Sequence, residues 1–447
     1  MLATGAIPRI RGSLLGEAVP LIGIVMILSS LFLVGSDSVF PGWIALIPCL
    51  GAALVIHSDG QSWIARHILA SRPMVFIGLL SYSLYLWHFP VFAAIRTVTA
   101  NLHLETAVAV AAVAATFLLA WLSWRHVEMP FRNHRRMAAG RMFLLLGAGF
   151  ASVALIAGVS IAMSGFPARL PQAAQAALMA AGDIDPMRTR CLGVHDQAAC
   201  RFGSSSAEIT YALIGDSHAA AIRPAIEASS IMGGETGTLF WAGACPLLDG
   251  AELRGHPERA NCNQFKRAVW AEIESHPAIR TVVLAGRWPF QMSGSLPESG
   301  GSYRVFLVDQ ETVTPSIEES ARVFRRSMMR TLDRLSSRGI RVIVIGSTPE
   351  PGFDVPHTVA MARYVGINEP PGIARRSVEQ RAALADSILA GIVDGRHDVA
   401  LISIWEKFCD SQWCRIEHAG IPIYSDDDHL SFNGALDFAA HAIAAGN

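Results

Sequence analysis

Five apolar segments ahead of Pro167 constrain this chain most, because each is close to the roughly 20 residues that an α-helix needs to cross the hydrocarbon core of a membrane. Hydrophobic residues make up 51% of the 447 residues, and the excess lies mostly before Pro167. Such a density of apolar segments favours membrane-spanning helices over buried helices of a large globular core. The second segment is short and contains Pro48, which makes it the weakest candidate. The predicted spans are 19–35, 42–56, 74–95, 106–124 and 141–163.

Basic residues indicate how these spans cross the membrane. Arginines precede the first span and occupy the second-to-third and fourth-to-fifth connections, whereas the other two connections hold one arginine together. Basic connections remain in the cytoplasm, so the fifth span runs outward and everything after Pro167 lies outside. The start lacks the pattern of a cleaved signal peptide, so the first span itself would direct insertion. The arginines are Arg9, Arg11, Arg66, Arg72, Arg132, Arg135, Arg136 and Arg141.

Six of the seven cysteines follow the last apolar segment and fall into close pairs. Proximity predicts three local disulfides, and hence an oxidising compartment, although sequence alone allows other pairings. Zinc binding is the alternative, but the spacings lack a repeated C-x-x-C. Cys49 lies in an apolar run and is predicted to be a buried small hydrophobe. The predicted pairs are Cys191 with Cys200, Cys245 with Cys262, and Cys409 with Cys414.

The chain after Pro167 has the size and composition of a soluble domain. Residues 167–190 are rich in Pro, Ala and Gln in their first part and are interpreted as a linker. Short apolar runs then alternate with helical stretches, which predicts a parallel sheet covered by helices on both faces. Ligands of such sheets bind at the carboxyl ends of the strands. The predicted strands are 209–214, 236–240, 281–285, 342–345 and 399–404, and the predicted helices include 315–337 and 375–393.

A candidate nucleophile lies where the first of these strands ends. The apolar run from Tyr211 breaks at Gly-Asp-Ser-His, and helical spacing resumes after Ser217. A strand, a sharp turn and a helix would place Ser217 at the sheet edge, beside the unpaired N–H groups of the helix. Near the chain end, Asp426 and His429 supply a carboxylate and an imidazole. Taken singly, the first motif is also typical of a helix-capping loop, and the second of a solvated loop or a metal site.

Together and in this order, the two motifs resemble the SGNH (GDSL-like) hydrolase superfamily. Its first block carries Gly-Asp-Ser and its last block Asp-x-x-His, which match Ser217, Asp426 and His429. The resemblance implies that Ser217 is the nucleophile, that His429 is the base, and that Asp426 orients the base. Asp216 is predicted to cap the helix or fix the turn. Asp427 and Asp428 are predicted to be solvated loop acids.

The same resemblance suggests donors for the oxyanion of the tetrahedral intermediate. The backbone N–H of Ser217 is the first, and Gly243, directly after the second strand, is where the superfamily places another, although a plain turn is the alternative. The third donor of the superfamily is an Asn after the third strand, where this chain has Trp288, so one side-chain donor is expected to be lost. Trp288 itself is a candidate for the oxyanion or substrate site. Arg287 is a candidate for binding an anionic sugar or stabilising charge, with an exposed structural arginine as the alternative.

The apolar half carries a second resemblance. Ser81, Tyr82, Tyr85 and His88 precede Pro90 in the third span, and Glu-Met-Pro-Phe-Arg ends at Arg132. Polar side chains within a span usually face the interior of a helix bundle or mark a substrate or ion pathway. The alternative interpretation is that these residues form an aromatic belt at the membrane interface. The pattern is similar to the last spans of the membrane acyltransferase-3 family, in which a bundle is joined through one extra span to an SGNH domain. Tyr85 and His88 are the membrane candidates.

Family members have about ten spans ahead of the linking helix, and this chain has only the last four. The missing spans carry Arg and His residues thought to handle the acyl donor, so the chain would be a fragment, would start late, or would need a separate polypeptide. The fold class is therefore an α-helical membrane bundle of about five spans followed by an α/β/α SGNH-type domain. The predicted domains are 1–135 (membrane), 136–166 (linking helix), 167–190 (linker) and 191–447 (SGNH-like).

These resemblances imply an O-acyltransferase, most specifically an O-acetyltransferase, that modifies a bacterial cell-surface polysaccharide. The implied donor is acetyl-CoA, with no bound cofactor or metal. The implied location is the inner membrane, with the carboxy-terminal domain in the periplasm. The alternatives are a membrane-tethered carbohydrate esterase and a non-catalytic glycan-binding partner. A net charge of −1 gives no reason to expect nucleic acid as a partner.

Overall fold

The computed structural model forms two compact units, Met1–Pro167 and Ala168–Asn447. The structure describes residues 13–33, 42–57, 62–99, 106–132, 139–193, 200–204, 208–229, 233–255, 259–295, 305–367, 369–370, 372–439 and 443.

The described part of the first unit is helical. Four of its helical segments are long and apolar enough to cross a membrane: Gly16–Leu33, Arg72–Thr97, Thr106–Arg132 and Gly140–Ala162. The second predicted span, 42–56, corresponds to a shorter apolar helix, Trp43–His57. The α-helices are α1 (Ser13–Leu33), α2 (Leu46–His57), α3 (Arg72–Thr99), α4 (Thr106–Ser123), α5 (Met129–Arg132) and α6 (Ala139–Ala162).

Polar contacts join some of these helices. The Ser83 hydroxyl on α3 donates to Glu128 Oε2 at 3.2 Å. Glu128 also accepts from Arg132 at 3.0 Å. The two membrane motifs noted in the sequence therefore contact each other through a serine and a glutamate. Cys49 was predicted to be buried and is exposed on α2; the prediction was wrong because an apolar run shows that a helix avoids water, not which side packs against protein.

The second unit is built on a six-stranded sheet with the order β1-β3-β2-β5-β7-β9. All neighbouring strands are parallel except the edge pair β1 and β3. Chain progression reverses at β2, because β3 lies on one side of it and β5 on the other. Crevices at such reversals are the usual ligand sites of open α/β sheets. The strands are β1 (Arg201–Gly203), β2 (Tyr211–Gly215), β3 (Thr236–Trp241), β4 (Glu252–Arg254), β5 (Thr281–Ala285), β6 (Phe306–Val308), β7 (Arg341–Ile345), β8 (Ile373–Ala374), β9 (Val399–Ile402), β10 (Trp413–Cys414), β11 (Glu417–His418) and β12 (Ile421–Pro422).

Side chains of alternating direction along the strands build two buried clusters, one on each face of the sheet. Leu213 and Val283 belong to one cluster, and their neighbours Ile214 and Leu284 to the other. Near-continuous apolar strands are expected where helices cover both faces. The fold class is confirmed: apolar helices followed by an SGNH-type α/β domain with a mostly parallel sheet. The helices of this unit are α7 (Gln172–Met179), α8 (Pro186–Arg190), α9 (Ser217–Ala228), α10 (Arg259–Ser275), α11 (Trp288–Ser293), α12 (Ile317–Ser336), α13 (Val355–Tyr364) and α14 (Arg375–Val393).

Residues 168–190, most of the segment interpreted as a linker, group with the second unit. Ala174 and Ala177 on α7 are fully buried in one of its two clusters, and α7 packs against α13. Asp185 forms a buried ion pair with Arg223 on α9. The composition suggested a linker because alanine and glutamine are common in linkers, but the small alanine side chains allow close packing here.

All three predicted cysteine pairs are disulfides. The bonds are Cys191–Cys200, Cys245–Cys262 and Cys409–Cys414.

Candidate active site

Ser217 is the first residue of α9 and follows β2 through a one-residue turn. Gly215 ends the strand, and a Cβ there would lie 1.8 Å from the Ala285 carbonyl oxygen, so only glycine fits. Asp216 caps the helix, since its Oδ1 accepts the His218 N–H at 2.9 Å. Its Oδ2 accepts the Arg287 N–H at 2.8 Å. The predicted capping role of Asp216 is confirmed, and the turn is fixed from two sides.

His429 is held in a tight loop after β12. Asp426 Oδ1 accepts two backbone N–H groups, from Asp428 at 3.0 Å and from His429 at 2.7 Å. The Ser425 N–H donates to the His429 carbonyl at 2.9 Å. At the base of the loop, Tyr424 is fully buried and donates to the Pro349 carbonyl at 3.1 Å. Asp426 therefore shapes the backbone of the loop that carries His429.

The structure brings the three predicted residues together. His429 Nε2 lies 2.7 Å from Ser217 Oγ, although 212 positions separate them in the sequence. His429 Nδ1 lies 2.8 Å from Asp426 Oδ2. A carboxylate only accepts, so in the neutral form of the ring Nδ1 carries the proton and Nε2 is left to accept the hydroxyl hydrogen of Ser217. This is the geometry in which an imidazole can take a proton from a serine.

A second carboxylate reaches the same nitrogen. Asp428 Oδ1 lies 2.6 Å from His429 Nδ1. Its Oδ2 lies 2.5 Å from Arg287 Nη1 and 3.4 Å from His218 Nε2. Asp428 was predicted to be a solvated loop acid and is instead a buried, ion-paired side chain. The prediction was wrong because the sequence does not show that Arg287, from another strand end, meets this loop.

Arg287 is also not the exposed arginine of the alternative prediction. Its side chain is 11% exposed and pairs with Glu350 Oε2 through Nη2 at 2.9 Å as well as with Asp428. Arg381 donates to the same Glu350 oxygen at 3.1 Å. Sequence reasoning missed Glu350 and Arg381, which lie in no recognisable motif. Arg287 therefore occupies the centre of a charged network behind His429.

His218, which directly follows Ser217, was also missed as a site residue. Its ring lies 4.9 Å from the His429 ring, and its Nδ1 lies 3.3 Å from Thr348 Oγ1. Its position in the first turn of the helix after the nucleophile is a signal that could have been used.

Trp288 was a candidate for binding the oxyanion or substrate, and the structure contradicts this. Its side chain is 1% exposed, and its indole N–H donates to the Ile345 carbonyl at 2.7 Å. The ring packs against Phe324 in the core. The large apolar ring of Trp288 is buried on the inner face of α11, so this side chain cannot contact a substrate.

Gly243 lies in the turn that follows β3, and the space in front of it is open. A Cβ at Gly243 would meet no described atom within 4 Å. Gln291 donates to the carbonyl of the adjacent Ala244 at 3.3 Å, and Cys245 is tied to Cys262. Among the described residues, neither the Ser217 nor the Gly243 N–H donates a hydrogen bond. Both are therefore available to an oxyanion.

Electrostatics favour the charged forms of this cluster. Burial of the His429 ring disfavours its cation, but hydrogen bonds to Asp426 and Asp428 outweigh it and raise the pKa of His429 to about 9. Burial would raise the pKa of Asp428, but hydrogen bonds from His218 and His429 hold it far below its ordinary value. The pKa of Asp427 is raised by burial and by the neighbouring Asp428. The histidine and its two carboxylates therefore form an ionic group near neutral pH.

A metal ion is the alternative use of these donors. His218, Asp428 and His429 offer ligand atoms within 4.8 Å of one another, of the types that zinc accepts. Arg287 Nη1 already lies 2.5 Å from Asp428, and Nε2 of His429 is hydrogen-bonded to Ser217. The positive guanidinium disfavours a cation at this place.

Tyr85 and His88 lie on α3 in the first unit. The His88 ring donates from Nδ1 to the Tyr85 carbonyl at 2.6 Å, and the two rings lie 5.6 Å apart. Both line an apolar cavity of about 360 Å³ between α3 and α4. Their role in the membrane half stays a prediction. The other residues around the cavity are Leu84, Phe92, Val113, Thr116 and Phe117.

Comparison with known families agrees with this fold. The family model for the SGNH domain fused to AT3 domains matches residues 188–443, more than half of the chain. The chain belongs to this family. The matched region of this SGNH-AT3 chain contains Ser217, Asp426 and His429.

Curated relatives of this SGNH-AT3 chain carry O-acetyltransferase names. Peptidoglycan O-acetyltransferase OatA of Listeria monocytogenes is 30% identical over 95 residues, which cover 21% of this chain and 15% of that protein. O-acetyltransferase OatA of Staphylococcus aureus is 26% identical over 113 residues, 25% of this chain and 19% of that protein. Each match thus spans less than one fifth of the relative.

A solved structure was also found for comparison. The periplasmic domain of the lipopolysaccharide acetyltransferase of Salmonella ser. Paratyphi A aligns with a TM-score of 0.40 and 13% identity, over 56% of this chain and 88% of that chain.

Proposed function

We propose that this protein O-acetylates a bacterial cell-surface polysaccharide through an acetyl group carried on Ser217. The observation that carries the proposal is the 2.7 Å contact between Ser217 Oγ and His429 Nε2. Family membership and the O-acetyltransferase names of the relatives support the reaction class. Peptidoglycan, lipopolysaccharide and exopolysaccharide are the acceptors to test.

In the first half-reaction, Ser217 Oγ attacks the carbonyl carbon of the acyl donor while its proton moves to His429 Nε2. The tetrahedral intermediate then collapses, and the leaving group departs with the proton from Nε2. Ser217 now carries the acetyl ester, and His429 is again neutral. The Nδ1 proton stays with the imidazole throughout, held by carboxylate oxygens.

In the second half-reaction, a sugar hydroxyl replaces the leaving group. His429 Nε2 takes the hydroxyl proton as the sugar oxygen attacks the acetyl carbon, and then returns the proton to Ser217 Oγ. The products are an O-acetylated sugar and free enzyme. The backbone N–H groups of Ser217 and Gly243 stabilise the oxyanion of both intermediates. Trp288, which stands in place of the Asn donor, donates to the Ile345 carbonyl instead, so the backbone has the larger share.

The first unit would hold the protein in the bacterial inner membrane, with the second unit in the periplasm. Four helices of sufficient length and three disulfides in the second unit support this placement. Acetyl-CoA is the proposed acyl donor, and Tyr85 and His88 are proposed to contribute to acyl transfer within the membrane. Further spans, supplied by a separate polypeptide or a longer chain, would complete that half of the reaction.

The test uses the full chain in detergent, an activated acetyl ester and an oligosaccharide acceptor. We expect intact-protein mass spectrometry to find one acetyl group on the wild type, mapped to Ser217, and none on Ser217→Ala. Acetylated oligosaccharide should then form. Transfer overturns the esterase alternative, whereas free acetate without acetylated sugar supports it. If cells carrying Ser217→Ala retain full glycan acetylation, the protein is a non-catalytic partner and the proposal fails.

A further inference from the structure

Two carboxylates compete for one N–H of His429. Nδ1 lies 2.8 Å from Asp426 Oδ2 and 2.6 Å from Asp428 Oδ1. A serine triad needs only one acid on this nitrogen. The second acid therefore calls for a physical account of its own.

The two acids have different surroundings. The Asp426 side chain is 40% exposed, and its other oxygen accepts the backbone N–H groups of Asp428 and His429. The Asp428 side chain is 5% exposed. A charge interaction is screened less in a buried pair than in an exposed one. Asp428 thus has the stronger electrostatic hold on the ring, while Asp426 also builds the loop.

Groups from two other elements hold the Asp428 carboxylate through its second oxygen. Arg287 Nη1 lies 2.5 Å from Asp428 Oδ2, and His218 Nε2 lies 3.4 Å from the same oxygen. Arg287 is itself held by Glu350 and by its own N–H on Asp216. The Asp428 carboxylate consequently has one oxygen for His429 and one for its supports, and it cannot turn away without breaking an ion pair.

We infer that Asp428 is a second positioning residue of the active site, sharing with Asp426 the task of orienting His429, with Arg287 holding Asp428 in place. This inference rests on the proposed function. It departs from a three-residue triad, because removal of Asp426 leaves a charged acceptor on Nδ1. The ring keeps its tautomer as long as one of the two acids remains.

The groups around His429 control whether its Nε2 carries a proton. In the described part of the chain, the charged or titratable groups facing His429 are Asp426 and Asp428 from its own loop and His218 from α9, with Arg287 reaching the site through Asp428. Both acids stabilise the imidazolium, which contributes to the raised pKa of His429. The free base, and with it the rate, should therefore increase as the pH rises toward about 9. Loss of either acid should lower the pKa of His429, and so shift this rising limb of the pH–rate profile to lower pH.

The three consecutive aspartates provide a matched series. The variants, made in the full chain, are Asp426→Asn, Asp427→Asn, Asp428→Asn and the 426/428 double variant. Hydrolysis of p-nitrophenyl acetate is measured from pH 5 to 10, because histidine titrates within roughly this range. Ser217→Ala provides the background at every pH. We expect losses in kcat/KM of about tenfold for Asp426→Asn, about 100-fold for Asp428→Asn and about 10⁴-fold for the double variant, the last being the loss known when a triad has no acid. Asp427→Asn should retain the wild-type rate and pH profile.

The outcomes separate the two proposals. If Ser217→Ala retains the wild-type rate, the proposed function fails and this inference with it. If Ser217→Ala is inactive but Asp426→Asn alone loses about 10⁴-fold, or Asp428→Asn keeps the wild-type pH limb, the function stands and the inference is overturned. A role of Asp428 in stability alone would lower the rate without moving the limb. Should Asp428→Asn not fold, the size of the Asp426→Asn loss still decides.

Discussion

Asp216 accepts the backbone N–H of Arg287 at 2.8 Å, so the turn that presents Ser217 is fastened to the loop that follows β5. The same side chain caps α9 through its other oxygen. One carboxylate thereby fixes both the turn that carries Ser217 and the arginine that contacts Asp428. The geometry of the site depends on this buried residue, which takes no part in the proton transfers.

Replacing Asp216 should destabilise the second unit in two steps. Asp216→Ala removes the cap, at about 1 kcal/mol, and leaves the Arg287 N–H without an acceptor, at about 1–3 kcal/mol. Asp216→Asn keeps an oxygen for the cap and loses only the Arg287 contact, so it should lie between Asp216→Ala and the wild type. Thermal unfolding followed by tryptophan fluorescence measures the order. Equal stability of the two variants would contradict it.

Gly243→Ala should fold normally and lose activity. The added methyl group meets no described atom within 4 Å, so the unfolding midpoint should stay within experimental error of the wild type. The same methyl group would lie next to the Gly243 N–H that is proposed to bind the oxyanion, and would hinder the approach of the acyl group. We expect kcat to fall by about 100-fold, the order of loss for one oxyanion donor. Gly215→Ala is the contrasting variant and should not fold, because its Cβ would lie 1.8 Å from a carbonyl oxygen.

The two acids that pair with Arg223 should differ in their contribution to stability. Asp185 is buried with Arg223, whereas the Glu227 side chain is 38% exposed. Asp185→Asn retains the cap on α8 but removes one of the two carboxylates that pair with the buried Arg223 guanidinium. It should lower the unfolding free energy by about 3 kcal/mol. Glu227→Gln should cost less than about 1 kcal/mol. Comparable losses in unfolding free energy from both variants would show that residues 167–190 do not anchor α9.

The stability of the second unit should depend on pH through His429. Its pKa is raised from 6.5 to about 9, so the folded state binds the proton more tightly than the unfolded state. This contribution, of the order of 3 kcal/mol, is fully present below about pH 6.5 and is lost as the pH rises through about 9. The lowered pKa values of Asp426 and Asp428 have the opposite effect on stability. Their contribution to the unfolding free energy is present above about pH 4 and is lost as the pH falls.

The comparison that isolates the histidine is wild type against His429→Gln. The difference in unfolding midpoint should be largest near pH 6 and should shrink toward pH 9 to 10, since roughly one pH unit on either side completes a titration. A difference that does not change with pH would mean that the ring is not protonated in the folded state.

The sheet was predictable because its strands are buried on both faces. Strands that avoid water on both sides are short continuous apolar runs, and β5 and α14 were predicted at their observed bounds. The short strand β1 escaped prediction, because three residues on an antiparallel edge carry no periodic signal. The pair β4 and β6 was missed for the same reason.

The meeting of Ser217, Asp426 and His429 was predictable from two local motifs, whereas the surroundings of these residues were not. Ser217 and the Asp426–His429 pair each lie in a short recognisable pattern. The environment of Asp428 depends on Arg287, which is distant in sequence, and burial of a charge cannot be read from its neighbours. Trp288 was misassigned because it stands where the superfamily has an Asn donor. This correspondence gives its position in the chain but not the direction of its side chain.

Every disulfide of the second unit joins a cysteine to the next one along the chain. The separations are 9, 17 and 5 residues. A polypeptide exported from its amino-terminal end can therefore close each bond as soon as the partner thiol has emerged, before a later cysteine competes. Maturation of this unit should consequently need an oxidase and no isomerase to rearrange crossed pairs.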